Sequence, residues 1–76
     1  MDQREHSAAV VLKLLVDQDE MPLSHVGSGS VILREPPSGV PPTTAELLVS
    51  VDGRVDRREV FLPHGITAGQ QRVAYF

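Results

Sequence analysis

The sequence predicts an α+β domain, with one N-terminal helix packed on a small antiparallel sheet of three to four strands. Three observations lead there. Ala8 to Val16 is an apolar run rich in Ala and Leu and free of Gly and Pro, which favours helix. Asp52-Gly53 separates two runs of strand character, Ala45 to Val51 and Val55 to Leu62, and this dipeptide is a strong hairpin signal. A chain of 76 residues without Cys can enclose one small core, so residues 1–76 are read as a single domain with a Pro-rich internal connector at 36–44.

The helix is expected from about Gln3 to Asp17. Asp2-Gln3-Arg4-Glu5 has the form of a capping box, in which the Asp side chain bonds a first-turn amide and the Glu reaches back. At about 100° per residue, Ala8, Val11, Leu12 and Leu15 share the core-facing stripe, opposite His6, Lys13 and Asp17. Val10 and Leu14 then lie on one flank and Ala9 and Val16 on the other, an apolar arc wider than one packed layer needs. Val10, Leu14 and Val16 are therefore the candidate interface residues, for a second copy or another protein. Asp17, Asp19 and Glu20 oppose the negative end of the helix dipole and Pro22 follows, which ends the helix there.

Gly27-Ser28-Gly29-Ser30 precedes Val31-Ile32-Leu33 and reads as a turn or bulge entering a strand at 30–34. Neither phosphate-loop pattern is met: no Lys-Ser or Lys-Thr follows at the required spacing, and Ile32 stands where a third Gly is needed. Pro36 to Thr44 removes backbone donors and is a connector. Strands at 45–52 and 56–62 form the hairpin. A two-residue Asp52-Gly53 turn would oppose Val49 to Asp56 and Leu47 to Arg58, mixing apolar with charged residues, so a longer loop at 53–56, opposing Val49 to Val60, is the register that restores an apolar face. After Pro63, His64-Gly65 and Ala68-Gly69 supply turns, and 71–76 is the last strand, with Tyr75 and Phe76 completing the core or an interface.

Composition excludes more chemistry than it supports. The absence of Cys removes thiolate nucleophiles, iron–sulfur ligation and Cys-based zinc sites. The acidic spacing at Asp17 to Glu20 lacks the central Gly and closing Glu of a calcium loop. No metal and no cofactor is expected. His6, His25 and His64 are the neutral-pH acid or base candidates, and none is at helical spacing from another. Ser24 and His25 are adjacent, yet nucleophilic catalysis needs a base, an orienting acid and an oxyanion site together, and the G-x-S-x-G elbow is missing. With 4% aromatic residues, stacking platforms for bases or sugars are scarce.

Arg54, Arg57 and Arg58 make the one basic concentration, and Arg72 could join them on phosphates. Asp52, Asp56 and Glu59 interleave with them and the formal net charge is −3, which weighs against a dedicated binder of nucleic acid. A winged-helix arrangement fails because Gly27 to Thr44 is too rich in Gly and Pro for a recognition helix. The apolar run at Ala8 to Val16 is too short to cross a membrane and lacks the flanks of a signal peptide, so a cytoplasmic location is the default. The function expected is a small non-enzymatic interaction or regulatory module, self-associating as a homodimer. The alternatives are a nucleic-acid-binding module using the Arg-bearing hairpin and, less favoured, a small hydrolase with a His/Ser/Asp site.

Overall fold

Val10, Val11 and Val16 decide the first element against the helix. Their β-branched side chains are restricted at χ1 and pack well on a pleated surface, and the computed structural model, which describes residues 9–76, shows Val10–Val16 as strand β1. The helix expected from Gln3 to Asp17 is thus overturned over its described part, and the capping box at Asp2 to Glu5 lies outside the described residues. The described residues contain no helix at all. The protein is all-β: β1, β2 (Asp19–Val26), β3 (Ser30–Leu33), β4 (Thr43–Val51), β5 (Arg54–Leu62) and β6 (Arg72–Ala74).

All six strands form one antiparallel sheet in the order β5-β4-β1-β2-β3-β6, curled into a half-barrel. β1 is central, paired with β2 on one side and β4 on the other, so its apolar run is that of a strand covered along both edges. The wide arc seen on a helical wheel is this strand's two faces read at the wrong period. Leu14 and Val16 point inward and are 1% and 2% exposed, whereas Val10 at the open end of the strand is 51% exposed. Leu14 and Val16 are therefore core residues of the chain, unavailable as a surface flank, and only Val10 of the three candidate interface residues stays accessible.

β2 carries little strand signal in the sequence, because Asp19, Glu20, Pro22 and Ser24 are poor strand formers. Val16 pairs with Asp19, so Asp17-Gln18 is a two-residue turn, with Asp17 at φ 54°; Asp accepts the left-handed region better than most side chains. Pro22 sits where it loses one ladder bond at the end of β3: the Arg34 amide donates to its carbonyl at 3.0 Å, and no reciprocal donor exists. A bulge at Ser24 shifts the β2–β3 register, with Leu23 opposite Leu33 and His25 opposite Ile32. The Gly-Ser run is the turn between these strands, closed by the Gly27 amide on the Ser30 carbonyl at 2.8 Å.

The concave face holds the core. Leu14, Leu23, Val31, Leu33, Leu47, Val60, Leu62, Val73 and Tyr75 are buried there, joined by Ile66 from the loop before β6. Burying each Leu or Val contributes roughly 1.5–3 kcal/mol, spread over every strand, so the layer that closes this core is the sheet itself and not a helix. The connector crosses back over one end, where Val40 and Ile66 exchange backbone hydrogen bonds of 2.8 Å.

The hairpin register also differs from the one expected. Val51 pairs with Arg54, Val49 with Asp56 and Leu47 with Arg58, so Asp52-Gly53 is a two-residue turn with φ of 50° and 84°, positive at both central positions as a type I′ turn requires. The mixed face is tolerated because only the lower half of the ribbon covers the core. Ala45, Leu47, Val60 and Leu62 are buried, while every residue from Val51 to Glu59 is exposed.

Candidate interaction surface

Arg54 to Glu59 alternate across the ribbon. With side chains of successive strand residues on opposite faces, Arg54, Asp56 and Arg58 share the concave side, and Val55, Arg57 and Glu59 share the convex side. The Arg58 guanidinium stands 6.0 Å from the centre of the Tyr75 ring, the outer limit of a cation–π contact. Arg57 reaches Glu46 on the neighbouring strand at 3.4 Å. The other ion pair among the described residues is Lys13 with Glu20 at 2.9 Å, so Arg54, Asp56, Arg58, Glu59 and Arg72 have no ion-pair partner among the described residues.

A cleft of about 290 Å³ opens at this end of the half-barrel, lined by Val26, Leu47, Val49 and Tyr75 together with the stretch from Asp56 to Arg58. The Tyr75 hydroxyl donates to the Gly27 carbonyl at 2.6 Å, which fixes the ring as one wall of the cleft.

The backbone of β5 is the more distinctive feature. Phe61 and Phe76 exchange two hydrogen bonds, the Phe61 amide to the Phe76 carbonyl at 3.1 Å and the Phe76 amide to the Phe61 carbonyl at 2.9 Å. This reciprocal pair ties the outer side of β5 to the segment after β6, and among the described residues it is the one backbone contact on that side. Amides and carbonyls alternate in direction along a strand, so Val55, Arg57 and Glu59 direct theirs the same way as Phe61. Among the described residues they meet no backbone partner. Beside this open edge stand two exposed apolar side chains of the convex face, Val55 at 54% and Phe61 at 42%.

The four arginines named for nucleic acid are not brought together. Arg54 and Arg58 share the concave side, Arg57 faces the other way on its Glu46, and Arg72 lies on β6, opposite Ile32. Because Phe61 and Phe76 run antiparallel, Arg72 and Arg57 fall on opposite sides of that pair. The histidines do not converge either. His25 is at the β2–β3 end near Val26, His64 lies two residues past Leu62, which pairs with Thr43 at the other end of the sheet, and His6 lies outside the described residues. Ser24 Oγ is 3.0 Å from His25 Nδ1 and 3.3 Å from the Ile32 carbonyl oxygen, all at an exposed site, with no carboxylate in hydrogen-bond contact with that His among the described residues. No group of three or more metal-ligating side chains occurs among the described residues, and no helix there is long and apolar enough to cross a membrane.

The hairpin is legible in the sequence, but its open edge is not. The alternation of Arg54 to Glu59 was readable; the Phe61–Phe76 pair, which fixes where the edge begins, joins residues distant in sequence. Comparison with known proteins finds no matching family model, no matching curated protein and no matching solved structure.

Proposed function

We propose that this chain is a small non-enzymatic protein-interaction module whose working surface is the open edge of β5. The observation that carries this is the reciprocal Phe61–Phe76 pair: it satisfies the outer side of β5 at one end and leaves the backbone of Val55, Arg57 and Glu59 directed outward. An extended segment can add to such an edge through main-chain hydrogen bonds, with flanking side chains supplying selectivity. The exposed Val55 and Phe61 offer apolar contacts along it, and the charged residues between them restrict which strands fit.

The test is a titration of the labelled protein, followed by amide chemical shifts, with a capped peptide of alternating Thr and Val as a neutral strand probe. The expected result is a set of shift changes centred on Val55, Arg57 and Glu59. Arg57→Pro removes the central outward donor without removing a bond to β4, and it should abolish them. Shift changes elsewhere on the sheet, or an unaltered response in Arg57→Pro, would overturn the proposal. A parallel titration with a mixed-sequence DNA duplex and a single-stranded RNA is expected to give no salt-dependent binding.

A further inference from the structure

Resting on that reading of the edge, we infer that the strand β5 receives is β5 of a second copy, paired antiparallel about a two-fold axis through Arg57. The outward backbone belongs to three residues, and an antiparallel register with Arg57 opposite its own copy uses all three: Arg57 with Arg57, Val55 with Glu59, and Glu59 with Val55. Each pair exchanges two hydrogen bonds in the manner of closely spaced antiparallel pairs. The side chains then follow. On the concave side Asp56 of each copy stands opposite Arg58 of the other, twice by symmetry, and neither has an ion-pair partner within the described residues of its own chain. On the convex side Val55 of one copy lies diagonal to Phe61 of the other, within reach of a large side chain, so the two exposed apolar residues beside the edge cover each other.

Neighbouring registers do not work. A shift by two residues one way places Asp56 opposite its own copy. The shift the other way places Arg58 opposite its own copy and calls on the backbone of Phe61, which Phe76 already holds. In the central register the two Arg57 side chains meet at the axis, and each is engaged by Glu46 of its own chain at 3.4 Å. Charges along an edge strand usually guard against pairing with other chains. Here the concave-side charges Asp56 and Arg58 exchange places when the strand is reversed about Arg57, so they oppose a strand of other charge order and admit a second copy of their own.

The experiment is solution mass across a dilution series, by light scattering and sedimentation, on the full chain, with amide spectra verifying that each variant is folded. Wild type is expected to dimerise. Asp56→Arg and Arg58→Asp each place like charges opposite one another at both ends and should each weaken the dimer by at least about tenfold. Mixed in equal amounts, the two variants regain both opposite-charge pairs and should form a one-to-one dimer. A wild type that is monomeric at every concentration it reaches would overturn the inference, and so would single variants that dimerise as wild type does. If the charge variants stay dimeric and Arg57→Pro is monomeric, the register falls and the edge stands. If Arg57→Pro is dimeric as well, the contact lies elsewhere and neither the register nor the edge accounts for it.

Discussion

The Tyr75 hydroxyl and the Gly27 carbonyl form a hydrogen bond of 2.6 Å across 48 positions of sequence, and the Tyr75 amide adds a second tie to the same turn, on the Gly29 carbonyl at 3.0 Å. One residue thus fastens the β2–β3 turn to the end of the chain and places its ring in the wall of the cleft. Tyr75→Phe keeps the buried ring and removes the first tie, and it should cost about 0.5–1.5 kcal/mol in urea unfolding. The Gly27 to Gly29 amides should show the largest accompanying change in exchange rate.

Gly65 is required by close approach. It has φ 60°, and a Cβ there would collide with the Val40 carbonyl and come within 2.6 Å of the Pro41 carbonyl carbon. The connector lies directly against it, held by the Val40–Ile66 bridge. Gly65→Ala should therefore destabilise by at least about 2 kcal/mol. Gly69→Ala, at φ 80° with open space around the new methyl, should cost roughly 1 kcal/mol. Thermal unfolding of the pair separates collision from backbone strain.

Asp52 serves the turn and the first strand together. It adopts φ 50°, its carboxylate accepts the Ala9 amide at 2.9 Å, and its own amide donates to the Ala9 carbonyl at 2.9 Å. Asn at this position tolerates the left-handed region and keeps the acceptor, so Asp52→Asn should be close to neutral. Asp52→Ala loses both advantages and should cost about 1–2 kcal/mol, read as a lowered urea midpoint.

The way the sequence is legible follows from how local each feature is. β3, the Pro-rich connector and the hairpin carry their signals within a few residues: Val31 to Leu33, the prolines from Pro36 to Pro42, and Asp52-Gly53. β1 does not, because a seven-residue apolar strand and one face of a short helix look alike when Leu, Lys and Ala dilute the β-branched residues. β2 is hidden further. Its turn is Asp17-Gln18 with no Gly, and Pro22 and the Ser24 bulge break the alternation. The register at Asp52-Gly53 was readable from turn chemistry alone. The objection to it, Leu47 opposite Arg58, assumed that the whole ribbon covers the core, whereas the half from Val51 to Glu59 projects into solvent.

The Lys13–Glu20 pair gives a pH prediction. The Lys13 ammonium donates to the Glu20 carboxylate at 2.9 Å, and that hydrogen bond, with the attraction of the same charge, holds the Glu20 carboxyl below its ordinary value of 4.5. A carboxyl lowered in the folded state stabilises the fold above its unfolded value, and the contribution is lost as pH falls through the folded value. The Glu20 side-chain carboxyl signal should therefore titrate with a midpoint below 4.5, and Lys13→Met should move that midpoint upward. The pair is solvent-exposed and sensitive to salt, so added salt should narrow the difference.

Amide hydrogen exchange along β5 tests the role of the open edge most directly. Arg54, Asp56 and Arg58 direct their amides to β4, and Val55, Arg57 and Glu59 direct theirs outward. At high dilution the first set should be protected and the second should exchange freely. As protein concentration rises, protection should appear at Val55, Arg57 and Glu59 together, in step with the growth of the dimer measured on the same samples. Dimer formation with these three amides still exchanging freely, or protection of all six at the lowest concentration, would contradict the account.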